Sequence, residues 1–173
     1  MSLIDSSYSI FTSGNYNLNS RNLDNDVLDY TCQEVEDKIL KLLFGDVMHL
    51  DFEQNLEDAD YLELTEGYKI DGELAPYELQ SKKYVYRGLK DMLAYFTYFY
   101  FVQGQFNYNP NIEEKVNTVE VINPQLNALR AYNQGVKLYN DAYRFIVYKQ
   151  TVDTTLFPDW EFTSIETLNT FDI

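Results

Sequence analysis

Catalysis needs a nucleophile, a base or a metal-binding set, and this chain offers one histidine and one cysteine from which to build any of them. His49 has no second histidine to fall back on, so any His-dependent triad rests on it alone. It falls in a stretch with helical spacing, where a packed or surface histidine is the expected reading. Cys32 stands in what reads as the first turn of another helix. A helix N-terminus depresses a thiol pKa, yet a small buried residue accounts for this cysteine equally well. Being alone, it forms no internal disulfide and says nothing of redox compartment. No glycine-rich phosphate cradle and no His or Cys pair at zinc spacing is present. The expectation is a protein without catalysis, cofactor or metal.

Carboxylates are the abundant chemistry. Asp46, Asp51, Glu53, Glu57, Asp58, Asp60, Glu63 and Glu66 crowd one stretch that contains no Lys or Arg. Oxygen ligands of this kind suit Ca²⁺, and Glu57-Asp58-Ala59-Asp60 is the best run for it. The run lacks the glycine turn and terminal Glu of an EF-hand loop, so a solvated acidic face is the better reading. A two-carboxylate glycosidase site finds no supporting spacing. The net charge of −15 argues against a nucleic-acid-binding groove, which needs clustered Lys and Arg. It allows a surface that repels DNA or one that competes with DNA for a basic partner.

The elements that position these groups read as helices. Thr31 with Glu34 forms a capping-box pattern, Val35, Ile39, Leu42 and Leu43 share one face, and Gly45 supplies the stop. A second helix runs from Asp46, as cap, to Leu56, and a short third from Asp60 to Glu66 ends at Gly67. The Asp71-Gly72 turn and Pro76 suggest a small hairpin after Tyr68. Two long helices then dominate, Tyr84 to Val102 and Asn123 to Tyr148, joined by a polar loop of unusual length, a kind of loop that usually serves a function or an interface. The second opens in the favoured order, Asn123 as cap and Pro124 in the first helical position.

The first long helix carries Tyr95-Phe96-Thr97-Tyr98-Phe99-Tyr100-Phe101, more aromatic surface than one core-facing stripe takes up. About half of it is expected in the core, leaving Tyr98, Phe99 and Phe101 as candidates for a subunit interface. Residues 1–29 read as an extended N-terminal arm, 30–150 as a helical core, and 151–173 as a C-terminal arm that docks. The arm's anchors are Phe157, Trp160 and Phe162. The uncharged stretch Met92 to Val102 is too short to span a bilayer. No secretion signal is read at the N-terminus. The fold class expected is mostly α, a helical bundle with a long inter-helix loop and extended arms.

This layout, with Tyr84-Val85-Tyr86-Arg87-Gly88-Leu89-Lys90 ahead of the aromatic run and Asn123-Pro124-Gln125 opening a helix that carries Ala131-Tyr132-Asn133, resembles the head-to-tail connector or adaptor proteins of tailed bacteriophages, including those of crAss-like phages. The resemblance covers roughly residues 30–150 and rests on packing positions. It implies a virion protein at the portal vertex, about twelve copies closing into a ring by cyclic symmetry. Its implied partners are the portal protein, neighbouring copies and other tail or ring proteins, with packaged DNA passing through unbound. Glu57, Asp58 and Asp60 are then candidates to face the channel. The alternative from another class is an acidic DNA mimic that inhibits a nucleic-acid-binding enzyme. A carbohydrate-binding module, resting on Tyr and Trp content alone, ranks third.

Overall fold

The computed structural model describes residues 2–13, 16–18, 25–70, 84–108 and 124–168. They are mostly helical. A single turn, α1 (Ser9–Thr12), precedes the long α2 (Asn25–Gln54), the short α3 (Ala59–Glu66), and strands β1 (Tyr68–Ile70) and β2 (Tyr84–Tyr86). Two long helices follow, α4 (Leu89–Tyr108) and α5 (Pro124–Val152). The strands pair antiparallel, with Tyr68 opposite Tyr86 and Ile70 opposite Tyr84. Tyr84-Val85-Tyr86 therefore closes a small ladder and does not open the aromatic helix as expected. Its β-branched and aromatic residues suit a strand, and the Tyr86 ring stacks on Phe145 at 4.4 Å. The inter-helix loop, the Asn123 cap and the Asp71-Gly72 turn lie outside the described residues.

Helix α4 is the centre of the molecule. It runs antiparallel to α5, with Tyr132 of α5 against Phe96 and Phe99 and Gly135 leaving room for the Phe96 ring. Its other sides meet α2, α3 and the N-terminal segment. A helix surrounded in this way can be apolar all round. Met92, Leu93, Ala94, Phe96, Tyr98, Phe101 and Val102 are all buried. Most of the surplus of aromatic residues thus faces the chain's own core: Tyr98, expected at a subunit surface, is enclosed there, and Phe101 keeps only 4% of its surface exposed. Phe99 is half-buried and packs on Tyr100 and Tyr132.

Helix α2 begins at Asn25, ahead of the expected start. The Thr31 hydroxyl donates back to the Val27 carbonyl, and Glu34 accepts from the Tyr30 hydroxyl. The capping box does not form, because the chain is already helical where the box was read. Gly45 does break the helix, at φ 76 and ψ 166. That left-handed region is open to glycine at no steric cost, and it divides α2 into a limb over 25–44 and one over 46–54.

The two arms are not free. Ile4, Phe11 and Leu18 are buried in the N-terminal segment, and Phe157 is buried in the C-terminal one. Carboxylates hold the first arm: Glu36 accepts from Ser2 Oγ and the Leu3 amide, Asp29 from the Ser6 amide, and Asp91 from the Tyr8 hydroxyl. The second doubles back along α5. Gln150 Nε2 reaches the Phe157 carbonyl, the Tyr139 hydroxyl donates to the Thr163 carbonyl, and the Asn133 side chain brackets the Leu168 backbone.

Candidate functional site

The C-terminal segment does its work at the end of the first α2 limb. The last carbonyls of a helix have no partner within it, and Gly45 ends the limb abruptly. Leu42, Leu43 and Phe44 would each be left with such a carbonyl. The tail satisfies all three: the Thr163 amide donates to Leu42 at 2.9 Å, Trp160 Nε1 to Leu43 at 2.7 Å, and the Glu161 amide to Phe44 at 3.0 Å. A Cβ on Gly45 would stand 2.8 Å from the Glu161 Cβ, so the glycine also admits the strap. Trp160 and Phe162 form an aromatic group with Tyr143 and Tyr139 of α5. The predicted anchors Phe157, Trp160 and Phe162 are therefore anchors, but onto this chain's own helices. Phe157 is buried by this packing, while Trp160 and Phe162, expected to face the portal or a neighbour, are half-buried.

The acidic candidates separate in the same way. Glu57 and Asp58 are exposed in the turn before α3. Asp60 joins Glu63 in holding Lys149 of α5, at 2.6 and 2.8 Å, and so serves the fold. Residues 57–60 do not gather as a cation site. Among the described residues, the one group that brings together three metal-binding side chains is Asp37, His49 and Glu53, whose ligand atoms lie within 4.8 Å of one another. The sequence reading passed over it because Asp37 stands on the far side of Gly45. The legible signals were the His49–Glu53 spacing of one helical turn and the glycine that folds the limbs together.

Cys32 is fully buried in the core. Burial first, then Asp29, Glu36 and Asp5, pushes its thiol up to about 12, so it supplies no thiolate near neutral pH.

Exposed apolar side chains gather on α2 outside the residues expected. Val27 and Tyr30 are 47% and 61% exposed on the outer face of α2. With Thr31 and Val35 they border a groove of about 750 Å³ whose other wall is Tyr100, Phe101 and Gly104 of α4. Lys38 crosses its rim, donating to the Tyr100 hydroxyl at 3.1 Å with its ammonium 4.4 Å from the ring centre. Phe101, itself buried, reaches this groove only by its edge of exposed surface. Val27 and Tyr30 were missed because that part of the chain was assigned to an arm or a helix start. No helix among the described residues is long and apolar enough to cross a membrane. Compared with protein-family models, curated proteins and solved structures, the chain matches none of them.

Proposed function

We propose that this protein is a structural component of a phage particle, a connector subunit that joins head to tail in a ring at the portal vertex and performs no catalysis. The observation that carries a binding role is the α2–α4 groove, where Val27 and Tyr30 leave large apolar side chains in water beside a tyrosine and a lysine. An apolar site with polar handles of this kind suits a protein neighbour. The connector identity itself rests on the resemblance in layout. Its partners in this reading are the portal protein, adjacent copies and the next tail ring. The net charge of −15 supports a channel through which DNA slides without sticking, with Glu57 and Asp58 as the exposed acids of the original set.

Immunogold labelling of purified phage particles, with antibody raised against the folded protein, tests this. Label confined to the tail-bearing vertex is the expected result. Particles that contain no copies, confirmed by mass spectrometry of the same preparation, overturn it. The second reading, an acidic DNA mimic, is favoured by one observation: Asp46 to Glu66 carries eight carboxylates and no cation of its own. Stoichiometric capture of a basic nucleic-acid enzyme, together with absence from particles, would put it first.

A further inference from the structure

The two limbs of α2 meet where a straight helix could never bring them. Asp37 and His49 are twelve residues apart, which along an unbroken helix means about 18 Å of axial separation. The turn at Gly45 folds the second limb back, and the ligand atoms of Asp37, His49 and Glu53 come within 4.8 Å of one another. His49 and Glu53 lie one turn apart on the second limb and so share a face. All three side chains line a cavity of about 310 Å³, walled also by Ser2, Gln33 and Glu36.

His49 is the buried member of the set. It is only 3% exposed, yet among the described residues its nearest charged partner is Asp37, with Nε2 standing 4.0 Å from Oδ1. That is beyond hydrogen-bonding reach. The ring lines a cavity that three carboxylates, Asp37, Glu53 and Glu36, also border. Glu36, on the same wall, is already engaged by Ser2 and Leu3, so it fixes the N-terminal segment as a side of the cavity. Lys41 is the competitor: its ammonium lies 2.8 Å from Asp37. Both groups are exposed, so the lysine can swing away into water.

From this geometry we infer that Asp37, His49 and Glu53 form a binding site for a divalent transition-metal ion of the zinc class, which pins the two limbs of α2 together across Gly45. One imidazole nitrogen and two carboxylate oxygens suit Zn²⁺, Co²⁺, Ni²⁺ or Mn²⁺, whereas Mg²⁺ and Ca²⁺ prefer all-oxygen sets. Bonds of about 2.0–2.2 Å require the ligand atoms to draw somewhat closer, and the exposed Asp37 and Glu53 carboxylates are free to do so. The cavity leaves room for water to complete the coordination.

The test is titration of the full chain with CoCl₂ at 0.15 M NaCl, a salt level about that of physiological screening, followed by visible absorption and by thermal unfolding. The expected result is saturation at one Co²⁺ per chain, with d–d bands shifted and intensified relative to aqueous Co²⁺, and a rise in Tm that Zn²⁺ reproduces and Mg²⁺ at the same concentration does not. Glu53→Gln keeps an exposed position folded and should weaken binding by more than about tenfold, the cost of losing even an outer partner of a metal ligand. His49→Gln should do the same, and Lys41→Met should tighten binding by freeing Asp37. A titration that leaves the d–d bands those of aqueous Co²⁺ overturns the site. So does equal binding by the Glu53→Gln chain, which would mark general attraction of cations to an acidic surface.

Discussion

The N-terminal and C-terminal segments present the same problem to the chain and solve it in different ways. Both are irregular, both carry scattered aromatic residues, and both lie on the helical core. The N-terminal segment is held from the sides of helices, by the carboxylates of Asp29, Glu36 and Asp91 reaching up to its amides and hydroxyls. The C-terminal segment is held by a helix end, where its amides and the Trp160 indole reach the carbonyls of Leu42, Leu43 and Phe44. Side-chain acceptors can be moved or replaced one at a time. Backbone carbonyls at a broken helix end cannot, and each one left buried without a donor costs roughly 1–3 kcal/mol. The second attachment should therefore be the stronger and the less tolerant.

Truncation after Val152 is the harshest way to break this comparison. It removes the three donors and the buried Phe157 together. We expect a loss of at least the roughly 3–5 kcal/mol typical of a Phe→Ala change in a core, read as a lower urea midpoint or as failure to fold. An unchanged midpoint would show that the strap is not part of the fold. Gly45→Ala comes next. It imposes a left-handed conformation worth about 1–2 kcal/mol of strain and drives a methyl group into Glu161, so the same midpoint should fall by more than that strain alone.

Trp160→Phe sharpens the comparison further. It keeps an aromatic ring beside Tyr143 but leaves the Leu43 carbonyl without its donor, for an expected loss of about 1–3 kcal/mol. Asp29→Asn, its counterpart on the N-terminal side, keeps an acceptor oxygen for the Ser6 amide and should cost less than about 1 kcal/mol. If Asp29→Asn proves the more damaging of the two, the ranking of the attachments is reversed.

The smallest effect is one of pH, and it acts on both arms. Tyr8, which donates to Asp91, and Tyr139, which donates to Thr163, have their phenol pKa values raised above the ordinary 10.0, chiefly by burial. In the unfolded chain these phenols ionise near 10.0, while in the folded chain they keep their protons. The unfolded state thus binds fewer protons above pH 10, and stability must fall there as pH rises. Urea midpoints measured on either side of pH 10 should show it. Replacing both tyrosines with Phe should reduce the slope, leaving the part that other raised phenols such as Tyr61 contribute.

The sequence announced helices where residue spacing and breakers agreed. The break at Gly45, the end of α3 at Gly67 and the opening of α5 at Pro124 were all readable, because glycine and proline act on the backbone wherever they stand. What could not be read was which side of a helix faces what. Tyr98 looked surplus because a single stripe was assumed, and only the placement of α4 between its neighbours shows that most of its sides have a partner. Phe157, Trp160 and Phe162 were legible as anchors but not their target, since an unpartnered carbonyl has no signature in residue type. The same limit hid Asp37 from His49. Spacing reports neighbours along one helix, and these two groups meet only because the helix turns back.

The bond between Trp160 and Leu43 joins residues 117 positions apart. Chains are synthesised from the N-terminus at about 5–20 residues per second, so the first limb of α2 leaves the ribosome several seconds before the residues that cap it exist. During that interval its last carbonyls meet only water. The order of synthesis therefore makes the second half of the chain the step that closes the first. A nascent chain arrested before residue 160 should remain sensitive to protease around Leu42–Gly45, long after that stretch has become helical.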